Sequence, residues 1–375
     1  MRKIFLLNFF LISIAYAQIG YVEVTNPIYN FLDRMNSLHV IENYNSFEIP
    51  KTRSEIATYL KEVAESKHQI NYVDFETLND FLVEFNFDIN LSTDKSFSLF
   101  NNTESKPIFN ENEKYLYYYS DSSKFNSFVN FVGSGEYLYS SDKVSNSTNN
   151  ASLVTFGGEI RGTIANHFGY FTRATNGLQF GDVELASFKN NLKYNYKYNS
   201  DHDSSKFFDE TIGYLSAEFD YVKFKIGRDR INIGYGYSKI IMDNYFPQMD
   251  YLSMQLNYSI FNFSFLHGKL FGNENYIATL GGSKRIINDK YIAYHRLGLN
   301  FSKHLHLGLG ETIIYSNRNI DLSYLNPFNF YKSAEHANQD RDNSMMFFDF
   351  RNKSIKGLSI FATLLIDDVD FSKLG

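Results

Sequence analysis

The chain has 375 residues, 43% of them hydrophobic and 18% aromatic, with 37 Phe, 29 Tyr, 22 Gly, 5 Pro, no Trp, no Cys and a net charge of -6. Absence of cysteine excludes a disulfide framework and a cysteine metal cluster, and the acidic balance leaves no basic stripe for nucleic acid. Aromatic richness at a mean hydropathy of -0.33 suits strands with one polar and one apolar face, although a compositionally biased genome would also enrich Phe, Tyr, Asn, Ile and Lys.

In chain order, Met1-Arg2-Lys3, an apolar run from Ile4 to Ile14 and Ala15-Tyr16-Ala17 form a secretory signal peptide over residues 1–17, cut before Gln18. The apolar run is too short for a spanning helix, which needs about 20 residues. No later run approaches that length, so an inner-membrane protein is not expected.

Residues 18–92 read as helical. Asn26 precedes Pro27, and Ile28, Phe31, Leu32, Met35 and Leu38 follow on one face. A second helix is marked by Pro50 and Thr52, with Ile56, Tyr59, Leu60 and Val63 as its stripe. A third begins near Asp74 and carries Phe75, Leu78, Leu82 and Phe85. Each has a single apolar stripe, so each needs a partner to be stable.

From about Lys106 the period changes from 3.6 to 2. Val129, Phe131, Tyr137 and Tyr139 share one face, and Asn130, Ser134 and Glu136 the other. Ile160, Ile164, Phe168 and Tyr170 oppose Glu159, Arg161, Thr163 and His167, ionisable groups that a polar lumen tolerates. Asn176 to Glu210 is an Asn/Lys/Tyr-rich stretch expected to contain a strand pair between surface loops. Further hairpins are expected at 213–226, at 254–265 through Ser259-Ile260, and at 297–309 through Ser302-Lys303, with one more strand from Leu358 to Ile366.

Short turns alternating with long polar loops are the habit of an antiparallel transmembrane β-barrel, here over residues 93–375. The last strands are expected to be missing, because the terminal aromatic strand usual in such barrels is absent after Asp367-Asp368. A soluble sandwich has hairpins of the same period, and alternation alone does not distinguish lipid from a protein core.

Charge placement singles out Arg228, Asp229 and Arg230. Arg228 and Arg230 would share the face of Val222, Phe224 and Ile226, at roughly 2 to 4 kcal/mol each in the bilayer midplane. The strand is therefore expected to leave the membrane or bulge near Gly227, with the charged triplet at the rim or in the lumen, paired internally or meeting an acidic saccharide. The glycine-spaced run through Tyr235 and Tyr237 belongs to the same rim.

Catalytic and metal signatures are missing: there is no HExxH, GxSxG or GxxxxGK[ST]. His304 and His306, two apart, read better as lumen-facing polar residues than as metal ligands. The DRDN run at 340–343 lacks the glycine and glutamate of a calcium loop, and Asp367 and Asp368 point to opposite faces of a strand. Neither an enzyme nor a cofactor is expected.

Three blocks carry a family resemblance: NPIYNFLDRM with PKTRSEIATYL and DFETLNDFLVEF; GRDRINIGYGYSKIIMDNYFPQMDYL; and YHRLGLNFSKHLHLGLGETIIYSNRNIDLSYLNPFNFY followed by DRDNSMMFFDF and LLIDD. In order and spacing the chain resembles the capsule assembly protein Wzi family, departing from it at Ile233, where an aromatic is usual. The resemblance implies an outer-membrane barrel of about 18 strands when complete, a periplasmic helical leader, and lectin-like anchoring of capsular or extracellular polysaccharide without turnover. It adds Arg296, Glu311, Asp342 and Asn343 as candidate binding residues. Outer-membrane lipid is then one partner and the polysaccharide export machinery a candidate second. The alternative function is a general diffusion porin or structural barrel.

Overall fold

The computed structural model describes residues 19–100, 112–121, 124–142, 147–195, 198, 206–243, 246–272, 274–279, 282–339 and 341–367. The signal segment, Asp340 and Asp368 lie outside them.

The N-terminal part contains α1 (Ile28–Ser37), β1 (Glu48–Ile49), α2 (Arg53–Glu65), α3 (Tyr72–Glu84) and α4 (Asn86–Asn90). Local chemistry starts each of the first three helices. Asn26 Oδ1 accepts from the Ile28 amide at 2.9 Å, Thr52 Oγ1 from Glu55 at 3.4 Å and Asn71 Oδ1 from Asp74 at 2.8 Å. Their stripes converge in one core through Ile28, Leu32, Met35, Ile56, Leu60, Val63, Leu78 and Phe85. Phe81 is buried there too, whereas Phe75 is only partly covered.

After a small parallel pair, β2 (Ser96–Ser98) and β3 (Glu113–Tyr115), the chain builds β4 (Tyr117–Asp121), β5 (Phe125–Asp142), β6 (Ser147–Ile164), β7 (Phe168–Gly181), β8 (Lys206–Phe219) and β9 (Val222–Asp229). There follow β10 (Asn232–Ile233), β11 (Met249–Tyr258), β12 (Phe261–Leu270), the hairpin β13 (Glu274–Thr279) and β14 (Gly282–Ile287), β15 (Lys290–Ser302), β16 (Leu305–Ser316), β17 (Asn343–Asn352) and β18 (Ile360–Asp367). Twelve strands form one antiparallel sheet in the order β18-β17-β16-β15-β12-β11-β9-β8-β7-β6-β5-β4. At the two ends of that order, β18 and β4 each pair on one side only among the described residues.

All the connections at one end are short: 122–124, 165–167, 220–221, 259–260, 303–304 and 353–359. At the other end they include 182–205, 230–248, 271–289 and 317–342. One expectation is revised here. Within 176–210 there is no separate strand pair among the described residues. Its first residues finish β7, its last begin β8, and among the described residues between them lie the short helices α5 (Val183–Ser187) and α6 (Asn190–Lys193). Asp182 Oδ1 caps α5 by accepting from the Leu185 amide at 2.8 Å, and this local bond competes successfully with strand pairing.

The two faces of the sheet invert the usual distribution of a soluble protein. Leu256, Phe263, Leu297, Leu309, Phe348 and Leu364 are direct neighbours across six successive strands, an unbroken apolar row on the outer face. Leu297 and Leu309 are each 42% exposed, Phe348 47% and Leu364 59%. On the inner face Arg161, Lys225, Arg296, His306 and Asp349 are buried. Apolar side chains outside and paired charges inside are favourable only where hydrocarbon bathes the outer face, so the sheet is a transmembrane β-barrel wall. Among the described residues no helix is long and apolar enough to cross a membrane.

The helical region lies at the short-turn end and is tied to the inner face by opposite charges. Glu23 meets Arg173 at 2.8 Å, Glu55 meets Lys223 at 3.1 Å, and Asp33 meets Arg351 at 2.8 Å. Burial disfavours ionisation of Glu55, but Lys51 and Lys223 outweigh it and hold this carboxyl down to about 2. From the opposite end the 230–248 loop folds inward, and β10 pairs with β1. Around that junction Phe47, Ile233, Tyr235, Met249, Tyr251 and Phe347 form an internal apolar core.

Candidate functional site

Arg228 behaves as its position demands. It stays on the outer face beyond Ile226, and its guanidinium donates twice to Asp250 of the adjacent strand, at 2.8 and 2.7 Å. One residue later Asp229 points inward and pairs with Lys225. β9 ends there, and Arg230 turns to Glu210 at 2.6 Å. The bulge expected near Gly227 does not form: β9 pairs in unbroken register with β8 and β11 there, and the position needs glycine because its φ is +144° and a Cβ would lie 2.5 Å from Tyr214 Cα.

Arg228 lines a cleft of about 440 Å³ at the long-loop rim. Its aromatic wall is Tyr194 against Phe271, stacked at 5.6 Å with an interplanar angle of 17°. Both rings are partly exposed. Amides complete it: Asn191 and Asn195 come from the α6 loop, and Gln248 from the segment before β11. The Nε2 of Gln248 is buried without a hydrogen-bond partner. The loop that carries Tyr194 is anchored by Tyr198, buried in a cluster with Leu153, Ala186, Leu192 and Phe208. The aromatic wall therefore stands on a packed base.

The other sequence-derived candidates are dispersed. Tyr235 is buried in the interior, 4.9 Å from Phe47, and its hydroxyl donates to Asn45 Oδ1 at 3.1 Å. Tyr237 is 87% exposed. Arg296 lies over the Phe47 ring at 4.3 Å and donates to both oxygens of Asp349, at 2.7 and 2.8 Å. Glu311 accepts from the Tyr331 amide at 2.7 Å and faces His295 at 3.3 Å. Asp342 accepts from Arg318 and from the Tyr324 hydroxyl, while Asn343 is exposed at the start of β17. Of these candidates, only Arg228 lines the cleft. Tyr194, Phe271 and Gln248 were not singled out by sequence, because what unites them is the closeness of three separate loops. The nearest signal was the Asn/Lys/Tyr-rich composition of 176–210.

The histidines are also separated in role. His304 stacks on His39 at 4.1 Å, whereas His306 donates through Nδ1 to Asn300 Oδ1 at 2.7 Å. Among the described residues no group of three His, Asp or Glu is placed to hold a metal.

These features define a transmembrane β-barrel protein with a packed interior and a polar, aromatic-walled cleft at its long-loop rim. No protein-family model matches the chain, and no curated protein matches it. Among solved structures, the crystal structure of a Pseudomonas aeruginosa FadL homologue overlaps 64% of this chain and 66% of that chain, at 9% identity and a TM-score of 0.27. At that score the overlap adds nothing to the reading of the fold, which rests on the sheet itself.

Proposed function

We propose that this is an outer-membrane protein of a Gram-negative-type bacterium that binds capsular or extracellular polysaccharide and holds it at the cell surface without turnover, in the manner of the capsule assembly protein Wzi family. The rim cleft carries the reading. Its stacked Tyr194 and Phe271 offer a ring face, Arg228 the open plane of a guanidinium whose edge Asp250 holds, and Gln248 an unpartnered donor. Flat faces beside directional polar groups suit a hydroxyl-rich, acidic polymer. Long loops face the exterior in such barrels, which puts this cleft where secreted polymer would meet it. The polysaccharide export machinery is then the expected donor of that polymer.

A general diffusion porin needs an open, hydrated lumen. The apolar core around Phe47, Tyr235 and Phe347 weighs against it.

The test is glycan-array binding by purified full-length protein, repeated with Tyr194→Ala and Arg228→Gln. The expected result is binding to acidic capsular glycans, weakened about tenfold in each variant, ~1.4 kcal/mol, while heat-modifiable gel migration shows an intact barrel. No glycan binding together with steady ion conduction in planar bilayers would favour the porin.

A further inference from the structure

A second cavity, of about 250 Å³, lies at the opposite, short-turn end, between the helical region and the inner face. Three neighbouring strands supply its floor. Asn257 of β11 is directly opposite Asn262 of β12, which is opposite Gly298 of β15, and Asn300 follows two residues along the same strand. Asn43, Asn45 and Tyr59 of the helical region close the other side.

The hydrogen bonds within this cavity leave a particular set of groups available. Asn45 Oδ1 accepts from the Phe47 amide and the Tyr235 hydroxyl, Asn257 Oδ1 from Asn262, and Asn300 Oδ1 from His306. The oxygen of each amide is engaged, and among the described residues its NH₂ group has no partner. Gln255, which also lines the cavity, has both ends of its amide free. The charged groups are already satisfied: Glu55 by Lys51 and Lys223, Glu48 by Tyr294 and Ser264, Arg296 by Asp349. What remains is a cluster of neutral donors without free charge. Its complement is an uncharged ligand rich in acceptor oxygens.

We infer that the short-turn end holds a second, separate binding site, for a neutral sugar unit, recognised through the amide groups of Asn45, Gln255, Asn257 and Asn300 with Tyr59 at the edge. The inference rests on the barrel orientation and not on the rim cleft: short turns face the periplasm, so the sugar reaches this site from inside the cell envelope. Two sources share that chemistry, an acetamido-bearing cell-wall glycan and a hydroxyl-only stretch of exported polymer.

The experiment uses saturation-transfer NMR on the detergent-solubilised full chain, with the N-acetylglucosamine trimer and with cellotriose as probes. At least one trimer is expected to bind, and Asn257→Ala is expected to weaken it about tenfold, ~1.4 kcal/mol, while Tyr194→Ala at the rim leaves it unchanged. Gln255→Ala, which removes no described bond, gives the same loss if Asn257→Ala disturbs folding. Binding of the acetamido trimer alone assigns the site to cell-wall-type glycan, and binding of cellotriose assigns it to hydroxyl-only polymer. Binding of neither trimer, or binding that both cavity variants leave intact, overturns the inference. Because glycan-array binding depends on Tyr194 and Arg228, failure at either end is read independently.

Discussion

The amide of Gly234 donates to the carbonyl oxygen of Phe47 at 2.7 Å. This bond joins a loop entering from the long-loop end to a segment entering from the short-turn end, and β1 with β10 continues the junction. Gly234 has φ +130°, a conformation side chains rarely adopt, and a Cβ there would meet Lys239 at 3.2 Å. Gly234→Val is expected to destabilise the junction by about 1 to 3 kcal/mol. Planar-bilayer recordings should then show sparse conduction for the wild type and frequent openings for the variant. Equal conduction in both would mean that the junction does not seal the interior.

Arg296 and Asp349 form an internal ion pair with side chains only 2% and 0% exposed. Asp349→Ala leaves a buried guanidinium uncompensated and is expected to cost about 3 to 5 kcal/mol. The double change Arg296→Met with Asp349→Leu removes both charges and should recover most of that loss. Urea unfolding followed by far-UV circular dichroism compares the two. Glycan binding at the rim should persist in the double variant.

Acid is expected to loosen the helical region. The Glu55 carboxyl, held at about 2 against an ordinary value near 4.5, stays ionised in the folded protein where the unfolded chain is already binding protons. Its stabilising contribution is complete above about pH 4.5 and is lost as pH falls toward 2. Hydrogen exchange across α2 should therefore accelerate in that window for the wild type. Glu55→Gln should exchange faster at neutral pH and show a weaker acid dependence.

The outer apolar row distinguishes a membrane wall from a soluble sheet. Leu309→Arg places a charge between Leu297 and Phe348, at an expected cost of roughly 2 to 4 kcal/mol in a bilayer. Reversible folding into phospholipid vesicles measures it. A near-neutral effect would show that water, not lipid, covers this face.

The sequence by itself determined the local and periodic features. The stripes of Ile28, Leu32 and Met35 and of Ile56, Leu60 and Val63 announce their helices, since a 3.6-residue repeat and a capping side chain are short-range signals. The alternation in Leu215, Ala217 and Phe219 and the polar reversals at Ser259-Ile260 and beside Lys303 likewise announce hairpins, because strand period and turn chemistry span only a few residues. The outward position of Arg228 was legible in the alternation of Val222, Phe224 and Ile226, whereas the bulge expected near Gly227 does not form, because β9 keeps its register with β11 through Asp229.

Tertiary structure alone decided the rest. That Tyr235 lies in the interior against Phe47, and not on the rim, depends on a contact between segments 188 residues apart. Arg296 became a buried partner of Asp349 because two strands, β15 and β17, bring these side chains together across β16. Tyr194, Phe271 and Gln248 form one cleft because three loops meet above the sheet. Periodicity reports which face a side chain takes, and it carries no information about which distant group will occupy the space beyond that face.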